Sequence, residues 1–428
     1  MLVTNETSSL WQVGKKSLTD LEVERGINAS GKGEAYGCVF GRDSLITALI
    51  LLSYSRRSRD KHYLPLVKKI LQNLAKLQGT KVNIESGEEP GKCIHEYRTE
   101  GYAHLTSGKD AWYLYPDNVM RNYDTVDATP LFLLACHEYF AFTGDFMFME
   151  EHVRHIVSAL WWIFDYGDAN GDGLMDYSFH PKRKFGGLKT QSWMDSTESV
   201  FFEDSGERPA YPIAPVEVQA YSFVALKNFA DFFSARDPRF AKRLRERAEE
   251  LKAKFNKVFV KSVGRSLAIA YAIEGTNERL WSARSSMGHC LWASYRGGPV
   301  PESIVDNRHI PGLVRRLMER DMYEPGAGIR TLSSGSKRFD AVSYHNGSIW
   351  PHDTAMIADG LDNFGYVAEA QNVRAGLIRA YQHFNTPIEL FAYEDGFKEY
   401  EGVNGSRACR VQAWSAASLL ATLQALNL

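Results

Sequence analysis

The sequence is poor in the features that would place it outside ordinary globular enzymes. Its 428 residues hold only 5 cysteines: Cys38, Cys93, Cys136, Cys290 and Cys409. They are odd in number, scattered and without metal-ligand spacing, which excludes a disulfide framework and fits a reducing cytosol. There is no excess charge of either sign, the net value being −2. That gives no footing for a nucleic-acid partner or an acidic membrane surface. No hydrophobic run is long enough to span a bilayer; the most apolar, "SLITALILLSY", stops at 54. The first residues, "MLVTNETSSLWQVGKK", lack the apolar core of a leader, so a cytoplasmic protein is expected. A phosphate-cradling glycine loop and a serine nucleophile elbow are both missing.

Apolar residues at helical spacing are plentiful. They predict helices over 41–57, 62–77, 125–143, 146–166, 214–235, 238–258, 283–293, 304–319, 350–363, 366–383 and 409–427. Tight junctions such as "TGD", "ARDP" and "NFGY" join them in pairs, which makes them antiparallel hairpins. Five hairpins, a last helix and a partner for it from the first 40 residues make six pairs. The expectation is an all-α, (α/α)6 toroid barrel over 1–428, with 1–40 packing on or closing it. In such a ring the first helices of all pairs start at one rim. The long segments 78–124, 167–213, 259–282, 320–349 and 384–408 are too long for idle loops, and several lead into those starts.

That rim collects "VFGRDS", "NYDTVDATP", "QSWMDSTESVFFEDSG", "SYHNGSIWPHD" and "TPIELFAYEDG". Carboxylates beside aromatic rings suit glycoside hydrolysis, in which one acid protonates the leaving oxygen and a second carboxylate activates water. An indole beside a carboxyl group desolvates it and raises its pKa, and Trp193 next to Asp195 offers that arrangement.

The ordered motifs "FGRDSLIT", "EEPGKCIHEYR", "NYDTVDATPLFL", "QSWMDS", "PIAPVEVQAYSFVAL", "GIRTLS", "YHNGSIWPHDTAMIADGL" and "PIELF" resemble the catalytic domains of glycogen-debranching proteins of the amylo-α-1,6-glucosidase type, with a more distant likeness to glucoamylases. The resemblance implies inverting exo-hydrolysis of α-glucosidic bonds. It implies Asp195 as general acid, and Glu389 as general base, although Ile388 stands between Pro387 and Glu389 where the family has none. It implies Arg42 and Asp43 as holders of the terminal sugar's outer hydroxyls. Asp127, Trp193, His345, Asn346, Trp350 and His352 would be subsite contacts. Glu217 reads equally as helix-start stabilisation or as a rim contact. The His95–Glu96 pair reads as sugar contact or as loop bracing with Arg98. Glu198, Glu203 and Asp204 read as solvated loop charges. The family's β-rich N-terminal domain is absent, which favours short or small α-glucosides.

Two further readings stay open on these residues. One is another enzyme on the same scaffold: a glycosylglycerate or mannosidase-type hydrolase, or an epimerase using His95, His345 and His352. The other is a carbohydrate-binding protein without activity. No cofactor is required. Asp168, Asn170, Asp172 and Asp176 in "DANGDGLMDY" resemble the front of a calcium loop, but the twelfth position is Phe179 rather than Glu.

Overall fold

The computed structural model describes residues 5–264, 266–402 and 405–428. Twelve α-helices among them carry the architecture: α1 (Asn5–Leu21), α2 (Gly41–Ser58), α3 (Leu64–Lys76), α4 (Ala128–Thr143), α5 (Phe146–Asp165), α6 (Val216–Phe233), α7 (Pro238–Val258), α8 (His289–Trp292), α9 (Ile310–Leu317), α10 (Pro351–Asn363), α11 (Val367–Phe384) and α12 (Ala413–Ala425). The even-numbered helices touch in order, α2 to α4, α6, α8, α10 and α12, and α12 returns to α2. The ring is closed. Outside it, α3, α5, α7 and α11 each pack on the helix before them, and α1 packs on α12. This is the (α/α)6 barrel expected, with the N-terminal segment supplying the missing outer helix.

The sequences separate the two layers. Inner helices are the more deeply buried: in α12 almost every residue is buried, and in α4 the whole run Ala128 to Cys136. Outer helices show one apolar stripe. In α7 it is Ala241, Leu244, Ala248, Leu251 and Phe255, with lysines, arginines and glutamates outside. The fourth pair departs from expectation. The residues read as a helix over 283–293 form a 3-10 turn, Ser285–Gly288, and the single-turn α8. This short element packs closely on α10. A Cβ on Gly360 would stand 2.7 Å from the Trp292 nitrogen, and one on Gly288 2.7 Å from Ile357.

All inner helices begin at one rim. The entry to α2 is set by a three-stranded antiparallel sheet of Val39–Phe40, Glu96–Arg98 and Met120–Asn122. Gly41 donates its N–H to the His95 carbonyl at 2.8 Å, and a Cβ there would lie 2.0 Å from the Ile94 oxygen. Only glycine allows this approach, and it aims the next two residues, Arg42 and Asp43, at the barrel mouth. No helix among the described residues is long and apolar enough to cross a membrane.

The Gly41→Ala variant is expected to lose about 1–3 kcal/mol of stability through overpacking against backbone, read as a lower urea midpoint with unchanged slope. An unchanged midpoint would show that the contact yields without cost.

Candidate active site

The first turns of the inner helices and the segments before them build the mouth. Arg42 is 2% exposed. Its Nε donates to Asp127 Oδ2 at 2.7 Å and its Nη1 to Asp195 Oδ2 at 2.8 Å. Asp127, just ahead of α4, is fully buried and also accepts from Thr125 Oγ1 at 2.6 Å. It neutralises Arg42 from behind. Asp195 is the partner that faces the cavity, its side chain 25% exposed.

Asp195 lies in an irregular segment that local bonds hold in place. Ser199 Oγ donates to the Met194 carbonyl at 2.5 Å. The Ser196 N–H points to His345 Nδ1 at 3.3 Å, so that nitrogen accepts. Burial, with the Arg284 charge second, holds the His345 pKa well below its ordinary value, in keeping with a neutral ring. Trp193 presents its ring at 5.4 Å from His345 and 5.5 Å from Trp350, near-perpendicular to both.

Glu389 is 1% exposed, in a short extended segment between Ile349 and Cys409. Its Oε2 accepts from the Cys409 N–H at 2.7 Å, and its Oε1 accepts from the Tyr344 hydroxyl. The Tyr36 hydroxyl lies 3.0 Å from that of Tyr344. The inserted Ile388 turns into the core, so the register brings Glu389, not its neighbour, to the cavity. The rival carboxylates Glu394, Glu399 and Glu401 stand outside, paired with Lys398, Arg410 and Arg407.

These groups enclose a cavity of about 360 Å³. Of the residues singled out by sequence, Arg42, Asp43, Trp193, Asp195, His345, Trp350 and Glu389 line it. His95, weighed as contact or brace, lines it too, while Glu96 braces Arg98. Asp127, Glu217, Asn346 and His352 lie behind the walls. Asn346 is taken by Arg284 and the Glu198 carbonyl, and His352 stacks at 3.8 Å on Trp414. Glu217 lines a separate recess with Tyr177 and Arg284. A larger cavity of about 540 Å³ opens at the opposite ends of the inner helices, but its carboxylates Glu138 and Asp359 are already paired with Arg56 and Arg57.

Sequence reading passed over Tyr36, Phe40, Tyr344, Gln412 and Trp414, which complete the wall. Gln412 and Trp414 begin α12, so the rule that found the other inner-helix starts covers them as well. Glu203, read as a solvated charge, accepts from Ser282 Oγ, Ser336 Oγ and the Lys337 N–H and ties three segments together. Asp204 is exposed and meets Lys337. In the 168–176 loop, Asp168 accepts from the Asp172 and Gly173 amides and Asp176 from the Ala169 amide, which is turn chemistry. Among the described residues no three His, Cys, Asp or Glu side chains are grouped to hold a metal ion.

Burial raises the carboxyl pKa values: Asp43 to about 8 against the opposing Arg42 charge, and Glu389 to about 7 against the Tyr344 bond. Asp195 is raised as well, again by burial and against Arg42. A carboxylate that accepts at both oxygens and a second, desolvated carboxyl group in one small cavity are of the kind general acid/base chemistry uses.

Residues 124–402 match the model of the mannosylglycerate hydrolase MGH1-like glycoside hydrolase domain. The chain belongs to this family. It is a glycoside hydrolase on a helical toroid barrel, and the match is to the mannosylglycerate hydrolase type rather than the debranching type its motifs resemble. No curated protein sequence matches it. Among solved structures it is similar to a GH63 mannosylglycerate hydrolase from Thermus thermophilus in complex with Tris and D-glycerate, with TM-score 0.67 and 15% identity over 96% of this chain and 99% of that one. It is also similar to a glycosidase variant in complex with glucose, with TM-score 0.55 and 13% identity over 100% and 99%. At these identities the likeness concerns the fold.

Glu217 gives a test of how the family's mouth is stabilised. Burial pushes its pKa from near 4.5 to about 7. A raised carboxyl pKa means stability that is full below the unfolded value and is lost as pH rises through 7. Glu217→Gln removes that loss. It is expected to be more stable than the native protein at pH 8 by about 3 kcal/mol, with a much smaller difference at pH 4. Equal differences at both pH values would mean that Glu217 carries no buried charge.

Proposed function

We propose that the protein is an inverting exo-hydrolase that releases a terminal α-linked hexose from small glycosides, with glycosylglycerates as its first substrate class. The observation that carries this reading is one small cavity lined by both Asp195 and Glu389. Its lining residues also carry buried polar atoms without partners among the described residues: Arg42 Nη2, Trp193 Nε1, Trp414 Nε1 and Gln412 Oε1. Buried polar groups need partners, and the hydroxyls of one sugar ring supply them. The family's name and the glycerate-bound relative favour glycerate as aglycone.

Asp195 gives its proton to the glycosidic oxygen as the C1–O bond breaks. Glu389 takes a proton from the water that attacks C1 from the opposite face. An α-glycoside therefore yields the β-hexose first. Arg42 holds Asp195 in place, Asp43 accepts from sugar hydroxyls, and Trp193 and Trp350 offer ring faces and edges to the sugar.

Proton NMR of the anomeric region, with mannosylglycerate, glucosylglycerate and isomaltose as substrates, tests this. Early β-hexose from a glycerate glycoside is expected, with rates falling about 10²–10⁴-fold in Asp195→Asn and in Glu389→Gln. Early α-hexose would overturn inversion. Release from isomaltose alone would return the substrate to the α-1,6-glucosidase class.

The base also fixes a pH dependence. The acidic limb of kcat/KM is expected near pH 7, where Glu389 must lose its proton. The Tyr344 bond lowers that value against burial, so Tyr344→Phe should move the limb upward as well as reduce kcat. A lower kcat with an unmoved limb would remove Tyr344 from contact with the base.

A further inference from the structure

Arg284 is a buried cation on whose charge Glu203 and Glu217 act only from a distance. It is 2% exposed, and among the described residues it forms no ion pair. Its guanidinium is held by neutral groups: Nη2 donates to the Ser199 carbonyl at 2.6 Å and to Asn346 Oδ1 at 2.8 Å, and Nη1 donates to the His345 carbonyl at 2.9 Å and meets Met194 Sδ at 3.4 Å. The rings of Phe201 and Tyr271 lie 5.1 and 4.9 Å from its Cζ. A buried charge without a salt-bridge partner costs stability, and an apolar side chain of similar volume would spare the fold that cost. The bonds themselves show what the charge does. Met194 and Ser199 bracket Asp195. His345 and Asn346 directly follow Tyr344, which hydrogen-bonds Glu389. One planar group thus spans the segment that carries the acid and the segment that holds the base.

We propose that Arg284 is a positioning residue that keeps the acid, Asp195, in register with the base, Glu389, by tying residues 194–199 to residues 344–346. The inference rests on the acid/base reading above. Arginine suits the task because its fork donates in several fixed directions within one plane, whereas lysine offers one compact charge. Asp195 keeps its Arg42 bond when Arg284 is lost, so the effect is a displacement rather than a release. A misplacement of about 1 Å at a reacting group costs about 10²-fold in rate.

The test compares two substrates in Arg284→Ala and Arg284→Lys. One is the glycoside that the native protein hydrolyses. The other is the α-glycosyl fluoride of the same sugar, whose fluoride departs without protonation. Expected is a loss of about 10²-fold in kcat on the glycoside with KM changed little, a much smaller loss on the fluoride, and partial recovery of Arg284→Ala by guanidinium ion at concentrations that leave the native protein folded. Equal losses on both substrates would overturn the proposal, because misfolding or a base-side effect lowers both alike. Full activity in Arg284→Lys would also overturn it, since charge alone would then suffice. If the alanine variant does not fold, Asn346→Leu removes one arm from the other side and should show the same split between substrates. Failure of the native protein on every glycoside would instead sink the functional reading itself.

Discussion

Arg42 is the charge on which the barrel mouth depends. A guanidinium 2% exposed at the start of an inner helix is tolerable only if its neighbours neutralise it. Two carboxylates do so, and they are not equivalent. Asp127 is sealed behind the wall and accepts from Thr125 as well, so it is a fixed counter-ion. Asp195 meets the same guanidinium from the cavity side. The pairing holds the Asp195 carboxyl group in one orientation without burying it completely. Were Asp127 lost, Arg42 would draw more strongly on Asp195 and keep it ionised, so the second carboxylate protects the acid's capacity to hold a proton.

The barrel topology sets the electrostatics of this rim. Every inner helix begins here, so the positive ends of the helix dipoles converge on it, and carboxylates at Asp43, Glu217 and Asp353 fall in first turns. A dipole favours an ionised carboxylate by about 0.3–1 kcal/mol at ordinary exposure. Burial acts the other way and is the larger effect, since Asp43 and Glu217 are still pushed up to about 8 and about 7. One unit of pKa corresponds to about 1.4 kcal/mol. The mouth is therefore a place where charge is held at some expense to stability, and the close packing of the surrounding ring is what sustains it.

Much of this was legible in the sequence because it follows from periodicity and chain order. The hairpin junctions and the 3.6-residue pattern are local, and the ring follows once six pairs are counted. The same logic placed Arg42, Asp43, Asp195 and Glu389 on one rim. What it missed depends on distance in space rather than in sequence. The 283–293 segment holds only a 3-10 turn and the single-turn α8, packed closely on α10, where Gly360 meets the Trp292 backbone from far along the chain. Tyr36 and Tyr344 meet across 308 residues, a contact with no periodic signal. Asn346 and His352 sit in a motif that does reach the cavity, yet their neighbours Arg284 and Trp414 draw the side chains behind its wall. A motif reports that a segment arrives at the site. Which of its side chains faces inward is decided by the packing.

The histidines illustrate the same division and bear on the chemistry. His95, His345 and His352 are near one another at the mouth, and a base-catalysed epimerisation would need two of them free on either side of a sugar. Burial lowers the pKa of all three, and the Arg42 charge adds to the effect at each. His345 is stacked at 5.0 Å on Trp350 with its Nδ1 turned to Ser196, and His352 is closed in against Trp414. Among the described residues none of the three has a carboxylate partner that would raise its basicity. The carboxyl groups that line the cavity are Asp43, Asp195 and Glu389, carried by segments far apart in the chain.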